Sequence, residues 1–315
     1  MKAFLFPGQG SQSIGMGREI YDSFRCAKDV FQEVNEALQQ NLTKIIFEGP
    51  ESDLVLTENT QPALMMVSMA IMRVLEKEGG LDLSKAASYV AGHSLGQYTA
   101  LCAAGSLSLS DTACLLKIRG QAMQKAVPVG EGAMAAILGL EMADVEKIAL
   151  EAAQGDICEI ANDNSPGQIV ISGHREAVER AVELSKTYGA KRSLLLNVSA
   201  PFHCALMKPA QERMQEAFES VCVKDPCVPV IDNVTADAVQ NGDALRTLLI
   251  QQVTGRVRWC ESILTMAELG ITTSLEIGAG KVLTGLSKRI VPTIEAFALN
   301  TPFDIESMLK KDLAA

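Results

Sequence analysis

Apolar residues recur along this chain with two periods, and the changes of period mark out its elements. Lys2-Ala3-Phe4-Leu5-Phe6 is a short apolar run stopped by Pro7-Gly8, and it predicts a first strand. A loop at Gln9-Gly10-Ser11-Gln12 leads to a helix over about 18–39. Apolar positions at helical spacing after Thr60-Gln61-Pro62 predict a long helix over 61–78. Ser88-Tyr89-Val90-Ala91 reads as a strand, 98–104 as a small-residue helix ending at Gly105, and 110–126 as another helix. Such alternation predicts an α/β fold whose parallel sheet is covered on both faces.

From about 128 to 197 the order changes. A strand at 132–138 and a helix at 142–153 are followed by a hairpin, with strands 157–161 and 168–172 around a turn at 162–167. A helix at 176–188 and a strand at 191–198 complete β-α-β-β-α-β, the split βαβ unit of ferredoxin-like folds. Both boundaries are rich in glycine and proline (Pro128, Gly130, Gly132, Pro201). The expectation is a small ferredoxin-like domain over 128–197 inserted into a larger one formed by 1–127 and 198–315, with a cleft between them suited to a small molecule. After Pro201 a helix at 205–220, a strand at 229–231, helices at 243–253 and 258–269, and a strand at 273–277 return the chain to the larger unit.

One segment carries chemistry. Gly92-His93-Ser94-Leu95-Gly96 is G-x-S-x-G between a predicted strand and a predicted helix, the setting in which a serine sits on a sharp turn with its hydroxyl exposed. A serine nucleophile needs a base, and the chain has three histidines. His93 adjoins the serine and should diverge from it on the turn. His174 falls at a helix start in the small unit, where a surface or capping role fits. Elimination leaves His203, in Pro201-Phe202-His203-Cys204, for which a histidine held only by local carbonyls is the structural alternative. No Asp or Glu stands out as its partner, although Asp232 and Glu276 are possible. An oxyanion hole would use the N–H of Leu95 and one from the glycine-flanked Gln9, whose loop lacks the Lys-Ser/Thr of a phosphate-binding P-loop. Arg119, among Leu115, Leu116 and Ile118, either snorkels to the surface, which its helix favours, or is held to bind an anion.

Composition narrows the function classes. At 315 residues and 48% hydrophobic content the chain can bury a large core. A net charge of −10 argues against broad nucleic-acid or membrane-surface binding. Eight scattered cysteines without C-x-x-C spacing read as small buried hydrophobes, so neither metal nor disulfide is expected. The apolar start is too short for a secretory leader and no stretch is long enough to span a bilayer, which predicts a cytoplasmic enzyme.

Together these segments resemble the malonyl-CoA:acyl carrier protein transacylases of fatty-acid synthesis. The resemblance rests on Phe6 through Gln12, Gly92 through Gly96, Arg119-Gly120 with Met123, Asn162 through Gly173, Phe202 through Met207, and Gln252 with Val257-Arg258-Trp259, in family order. It implies an α/β-hydrolase-like large domain. It also implies an acyltransferase that moves malonyl from malonyl-CoA to acyl carrier protein through Ser94, with His203 as base and no cofactor. Arg119 would then pair with the substrate carboxylate, Gln9 and Leu95 would donate to the oxyanion, and a backbone carbonyl of Gln252 would replace the triad carboxylate. Phe202, Met123 and Asn162 would join Gln252 at the substrate. The chain departs from the family at Gln97, where glutamate is usual, and at Thr99, where serine is frequent; altered local hydrogen bonding with intact chemistry is expected. A serine hydrolase or thioesterase, and a carrier-binding module without catalysis, are the alternatives. A role in polyketide assembly is not separated from one in fatty-acid synthesis, and a monomer is expected.

Overall fold

The computed structural model describes residues 1–312. Its ten strands are β1 (Lys2–Phe6), β2 (Tyr89–Gly92), β3 (Gly132–Leu138), β4 (Cys158–Ser165), β5 (Gln168–His174), β6 (Arg192–Leu195), β7 (Val230–Ile231), β8 (Ala238–Val239), β9 (Thr273–Ile277) and β10 (Glu295–Leu299). They form a six-stranded sheet of order β10-β9-β1-β2-β7-β8 and a four-stranded sheet of order β4-β5-β3-β6. In the first sheet β10 through β7 run parallel and only β8 pairs antiparallel, with β7. The second sheet is antiparallel throughout. The molecule is thus an α/β-hydrolase-like fold carrying a ferredoxin-like unit.

The strand at the centre shows why the large sheet is covered on both faces. Side chains alternate across a strand. Accordingly Phe4 and Phe6 enter one core with the long helix Thr57–Lys77, while Ala3 and Leu5 enter another with Trp259, Ile263 and Met266. All four are fully buried. In the small sheet Ala133, Ala135 and Ile137 face Val145, Ile148, Val178 and Ala181 of its two helices, whereas Met134 and Val170 belong to the main core. Backbone hydrogen bonds Asp163 N to Val257 O (2.9 Å) and Val257 N to Ala161 O (2.8 Å) tie β4 to the larger unit.

Several expected boundaries move. The helix over 18–39 is two, Arg18–Ser23 and Arg25–Leu38, because Phe24 takes an extended conformation (φ −127°, ψ 126°) and packs against the core. The long helix begins at Thr57, five residues before Pro62, which lies inside it. The turn expected at 162–167 shrinks to Pro166-Gly167, because β4 continues through Asn162 and Asp163 with two register shifts. The helix over 205–220 opens with a short 3-10 turn, Ala205–Met207, before Lys208–Phe218. Helices Leu42–Glu48, Val282–Ile290 and Pro302–Asp312, with strands β8 and β10, were not anticipated.

One close approach sets up the site. A Cβ on Gly120 would lie 2.5 Å from Glu58 Cα and 2.7 Å from Thr57 O, so helix Leu109–Ala126 meets the start of Thr57–Lys77 backbone to backbone. That contact places Arg119 against Gln61. Gly120→Ala should therefore destabilise the protein by about 1–3 kcal/mol, the usual cost of overpacking. Urea unfolding checks this, and an unchanged midpoint would contradict the packing argument.

Candidate active site

Loops from the carboxyl ends of three adjacent strands converge on one point, where ligands of open parallel sheets bind. Gln9 follows β1, Ser94 follows β2, and Asp232-Asn233 follow β7. Ser94 has φ 53° and ψ −110°, a strained conformation at the start of helix Leu95–Ala103. The two glycines of the motif permit it. A Cβ on Gly92 would lie 1.9 Å from the carbonyl of Gly96, and one on Gly96 would lie 2.2 Å from Phe6 O. A larger residue at Gly96 would drive the turn away from β1, and one at Gly92 would force the turn itself open.

His203 lies across from the serine, its Nε2 2.7 Å from Ser94 Oγ. Its Nδ1 is 2.9 Å from Gln252 O and 3.0 Å from Gly255 O. Carbonyl oxygens only accept, so the proton sits on Nδ1 and Nε2 is left to accept from the serine. The imidazole is 4% exposed. Burial, with the nearby Arg119 charge adding to it, pulls its pKa from 6.5 down to about 3, against the opposing pull of the two carbonyls. The imidazole is therefore a neutral base near neutral pH. The elimination among histidines fits this arrangement, since His93 turns away to meet Asn164 Oδ1 (2.8 Å) and packs near Trp259. His174 stands at the N-cap of Arg175–Thr187 but caps nothing there; its Nδ1 accepts from Ile157 N–H.

The carboxylates considered as third members serve elsewhere. Glu276 caps the start of helix Val282–Ile290 through the N–H groups of Leu283 and Thr284. Asp232 accepts from Val234 N–H, Thr235 N–H and the Gln97 amide. Neutral carbonyls hold the histidine instead, and Gly255 is one that the sequence did not single out.

Arg119 is in the core, 2% exposed, and the surface alternative is excluded. Its Nη1 donates to Gln61 Oε1 (2.8 Å), and its Nη2 to Gln252 Oε1 (3.1 Å) and Ser94 Oγ (3.1 Å). Its ring neighbour is Tyr98, 5.5 Å from Cζ. Among the described residues the Nε hydrogen has no hydrogen-bond partner. Burial lowers its pKa, yet a guanidinium keeps its proton. Every partner named is neutral, so a full positive charge stands beside the nucleophile with donors to spare.

A cavity of about 280 Å³ opens over these groups. Gln9, Ser94, Leu95, Arg119, Met123, Asn162, Phe202 and His203 all line it, with His93, Gln61 and the apolar Met134, Leu196 and Val198. Leu95 is the first residue of its helix, and its N–H has no acceptor within that helix. Gln252 does not reach the cavity. It is fully buried behind the wall, where its amide Nε2 donates to Ser94 O, Gln97 Oε1 and Asn233 Oδ1. The expectation that it touches substrate is corrected to a supporting position. Gln61 and Asn233 were missed as site residues, each a buried polar side chain whose partners are remote in sequence, and Asp232, weighed only as a partner for the histidine, meets Gln97 instead. No cluster of potential metal ligands occurs among the described residues.

A strained serine, a neutral imidazole and a buried cation around one cavity define a serine enzyme built for acyl chemistry on an anionic substrate. The chain belongs to the acyl transferase domain family, which matches residues 3–295. It is 46% identical over 308 residues to the malonyl CoA-acyl carrier protein transacylase of Escherichia coli (strain K12), covering 98% of both chains. The crystal structure of acyl-carrier-protein-S-malonyltransferase from Bartonella henselae superposes with a TM-score of 0.96 at 54% identity, covering 98% of each chain. A malonyl-transacylase in complex with a type II PKS acyl-carrier protein superposes at 0.95 with 43% identity, covering 98% of this chain and 99% of that one.

The depressed histidine pKa has two consequences. The unfolded chain takes up the proton first, so His203 lowers stability as pH falls from 6.5 toward 3 and costs nothing above 6.5. In single-turnover acylation of Ser94, the rate should also show no break near pH 6.5. Stopped-flow loading between pH 5 and 7 should vary by less than about twofold. A fall with a midpoint near 6.5 would contradict the neutral, buried base.

Proposed function

We propose that this protein is a malonyl-CoA:acyl carrier protein S-malonyltransferase of fatty-acid biosynthesis, working through a malonyl-Ser94 ester. The observation that carries the reading is the buried, neutrally partnered Arg119 guanidinium 3.1 Å from Ser94 Oγ. A hydrolase acting on neutral acyl groups has no use for it. A carboxylate two bonds from the reacting carbonyl carbon does.

In the first step Ser94 Oγ attacks the thioester carbonyl while His203 Nε2 takes its proton. The N–H groups of Leu95 and Gln9 face the oxyanion, and the malonyl carboxylate occupies the unused donors of Arg119. Collapse breaks the C–S bond, and the imidazolium returns its proton to the departing thiolate of coenzyme A. In the second step His203 takes the proton of the carrier's phosphopantetheine thiol. The sulfur attacks the ester carbon, the C–O bond breaks, and Ser94 recovers its proton.

The ester must outlast contact with water. Met123, Met134, Phe202, Leu196 and Val198 surround the acyl position with apolar surface, and the Arg119–carboxylate pair fixes its pose. Malonyl-CoA is then a substrate, and no step calls for a metal or cofactor. An acidic carrier fits Lys191 and Arg192, beside the strand that leads to Leu196 at the cavity wall. The reading places the enzyme in the cytoplasm as a monomer. None of the described helices is long and apolar enough to cross a membrane.

Intact-mass spectrometry after mixing with malonyl-CoA should show a malonyl adduct on the wild-type chain and none on Ser94→Ala. An unmodified wild-type mass would overturn the reading.

A further inference from the structure

Behind the cavity wall, two glutamine amides connect a buried carboxylate to the buried guanidinium. Gln97 Nε2 donates to Asp232 Oδ2 at 2.6 Å, Gln252 Nε2 donates to Gln97 Oε1 at 2.9 Å, and Arg119 Nη2 donates to Gln252 Oε1 at 3.1 Å. Asp232, Gln97 and Gln252 are fully buried. We propose that Asp232 and Gln97 are positioning residues for malonyl transfer, fixing through this relay the orientation of the Gln252 amide and thereby the seat of Arg119.

Hydrogen-bond polarity sets the orientation of each amide. An amide can present either its oxygen or its NH2 to a neighbour, so each glutamine has two orientations. A carboxylate only accepts and a guanidinium only donates. With Asp232 at one end, Gln97 must turn its NH2 toward it and its oxygen toward Gln252. Gln252 must then turn its NH2 toward Gln97 and its oxygen toward Arg119. The two charged ends demand the same polarity, and the chain satisfies both.

The surroundings lock each member. Asp232 Oδ1 accepts from Val234 N–H at 2.7 Å, Thr235 N–H at 2.9 Å and the Thr235 hydroxyl at 3.3 Å, so that oxygen cannot be exchanged for an NH2. Asn233 N–H donates to Gln97 Oε1 at 3.1 Å, which holds that oxygen where Gln252 needs it. Asn233 Oδ1 accepts from both Ser94 N–H (2.8 Å) and Gln252 Nε2 (3.0 Å), and its Nδ2 donates to Gly92 O (2.9 Å). The relay is therefore braced against the Ser94 turn, the nucleophile elbow, as well as the guanidinium. Gln252 is its junction, since the backbone carbonyl of the same residue orients His203.

Asp232→Asn puts an NH2 where Oδ2 was. It would face the Gln97 NH2, and relief by turning Gln97 would point an NH2 at Asn233 N–H and Gln252. Turning Gln252 in response would aim an NH2 at Arg119. The reciprocal pair Gln97→Glu with Asp232→Asn restores the pattern. The amide introduced at position 232 donates its NH2 to the carboxylate introduced at position 97, whose other oxygen still accepts from Asn233 N–H and Gln252. The swap moves the negative charge by one side chain while keeping shape and relay polarity.

The test compares malonyl and acetyl transfer from their coenzyme A thioesters to acyl carrier protein in wild type, Asp232→Asn and the reciprocal double variant, with melting temperatures for all three. Asp232→Asn should lose about tenfold or more in kcat/KM for malonyl and considerably less for acetyl, since of the two acyl groups only malonyl carries a carboxylate for the displaced guanidinium to pair with. The double variant should return to within about threefold of wild type for both. Equal proportional losses in Asp232→Asn would overturn the proposal, because a merely structural role moves both substrates together. A double variant that does not fold, or that folds without recovery, would also overturn it. The inference rests on the malonyl-transfer reading. Wild-type protein that transfers no malonyl would remove that reading, whereas an active wild type with an unrescued swap removes only the relay.

Discussion

Arg119 is buried to 2% exposure with only neutral side chains as hydrogen-bond partners, and the rest of the site is arranged around that charge. Removing a cation from water is costly unless a counter-charge or dense hydrogen bonding compensates. Here Gln61, Gln252 and Ser94 supply oxygens and Tyr98 a ring face, while the Nε hydrogen stays unmatched. On the proposed function, an anionic acyl group completes what the fold leaves incomplete. The same charge acts on the chemistry in two ways. It donates to Ser94 Oγ, favouring developing negative charge there, and it helps hold His203 neutral.

That arrangement is possible because backbone segments come unusually close. Gly120 lets the Arg119 helix touch the start of the long helix, and Gly92 and Gly96 let the elbow close against β1. Position then follows from sheet topology. β1, β2 and β7 are neighbours, so Gln9, Ser94 and Asp232-Asn233 leave the sheet side by side although they are far apart in the chain. The histidine comes from a loop beyond the ferredoxin-like unit, itself in a left-handed conformation (φ 57°), and meets the carbonyls of Gln252 and Gly255. A neutral carbonyl pair orients the imidazole without stabilising its protonated form as a carboxylate would. In the proposed reaction this suits a base that must give its proton up again in each half.

Much of this was legible in the sequence wherever local chemistry and global fold agree. β1, β3 and β9 kept their predicted bounds because apolar runs ended at glycine or proline. The elbow kept its place because only glycine fits at Gly92 and Gly96. Illegible parts were those where distant partners override local preference. Thr57-Glu58-Asn59-Thr60 looks like a polar loop before Pro62, yet it is helical, and Asn59 Oδ1 accepts from the distant Gln40 Nε2 and Lys117 Nζ. Asn162 looks like a turn residue but continues a bulged strand that bridges to Val257. Arg119 by its own helix suggested the surface, and only the resemblance placed it at the substrate. The partners of Gln97, 135 and 155 residues away in the chain, leave no local trace.

We infer that the uncompensated buried charge of Arg119 selects a carboxylate-bearing acyl group. Supplying that charge with a partner inside the protein tests it most directly. Gln61→Glu places a carboxylate at the oxygen that already accepts from Arg119 Nη1 at 2.8 Å, leaving Ser94, His203 and Arg119 intact. Rates of Ser94 loading by malonyl-CoA and acetyl-CoA should then diverge from wild type. Malonyl loading is expected to fall by about tenfold or more while acetyl loading changes by less than about threefold. Proportional changes in the two rates, or none, would contradict the account.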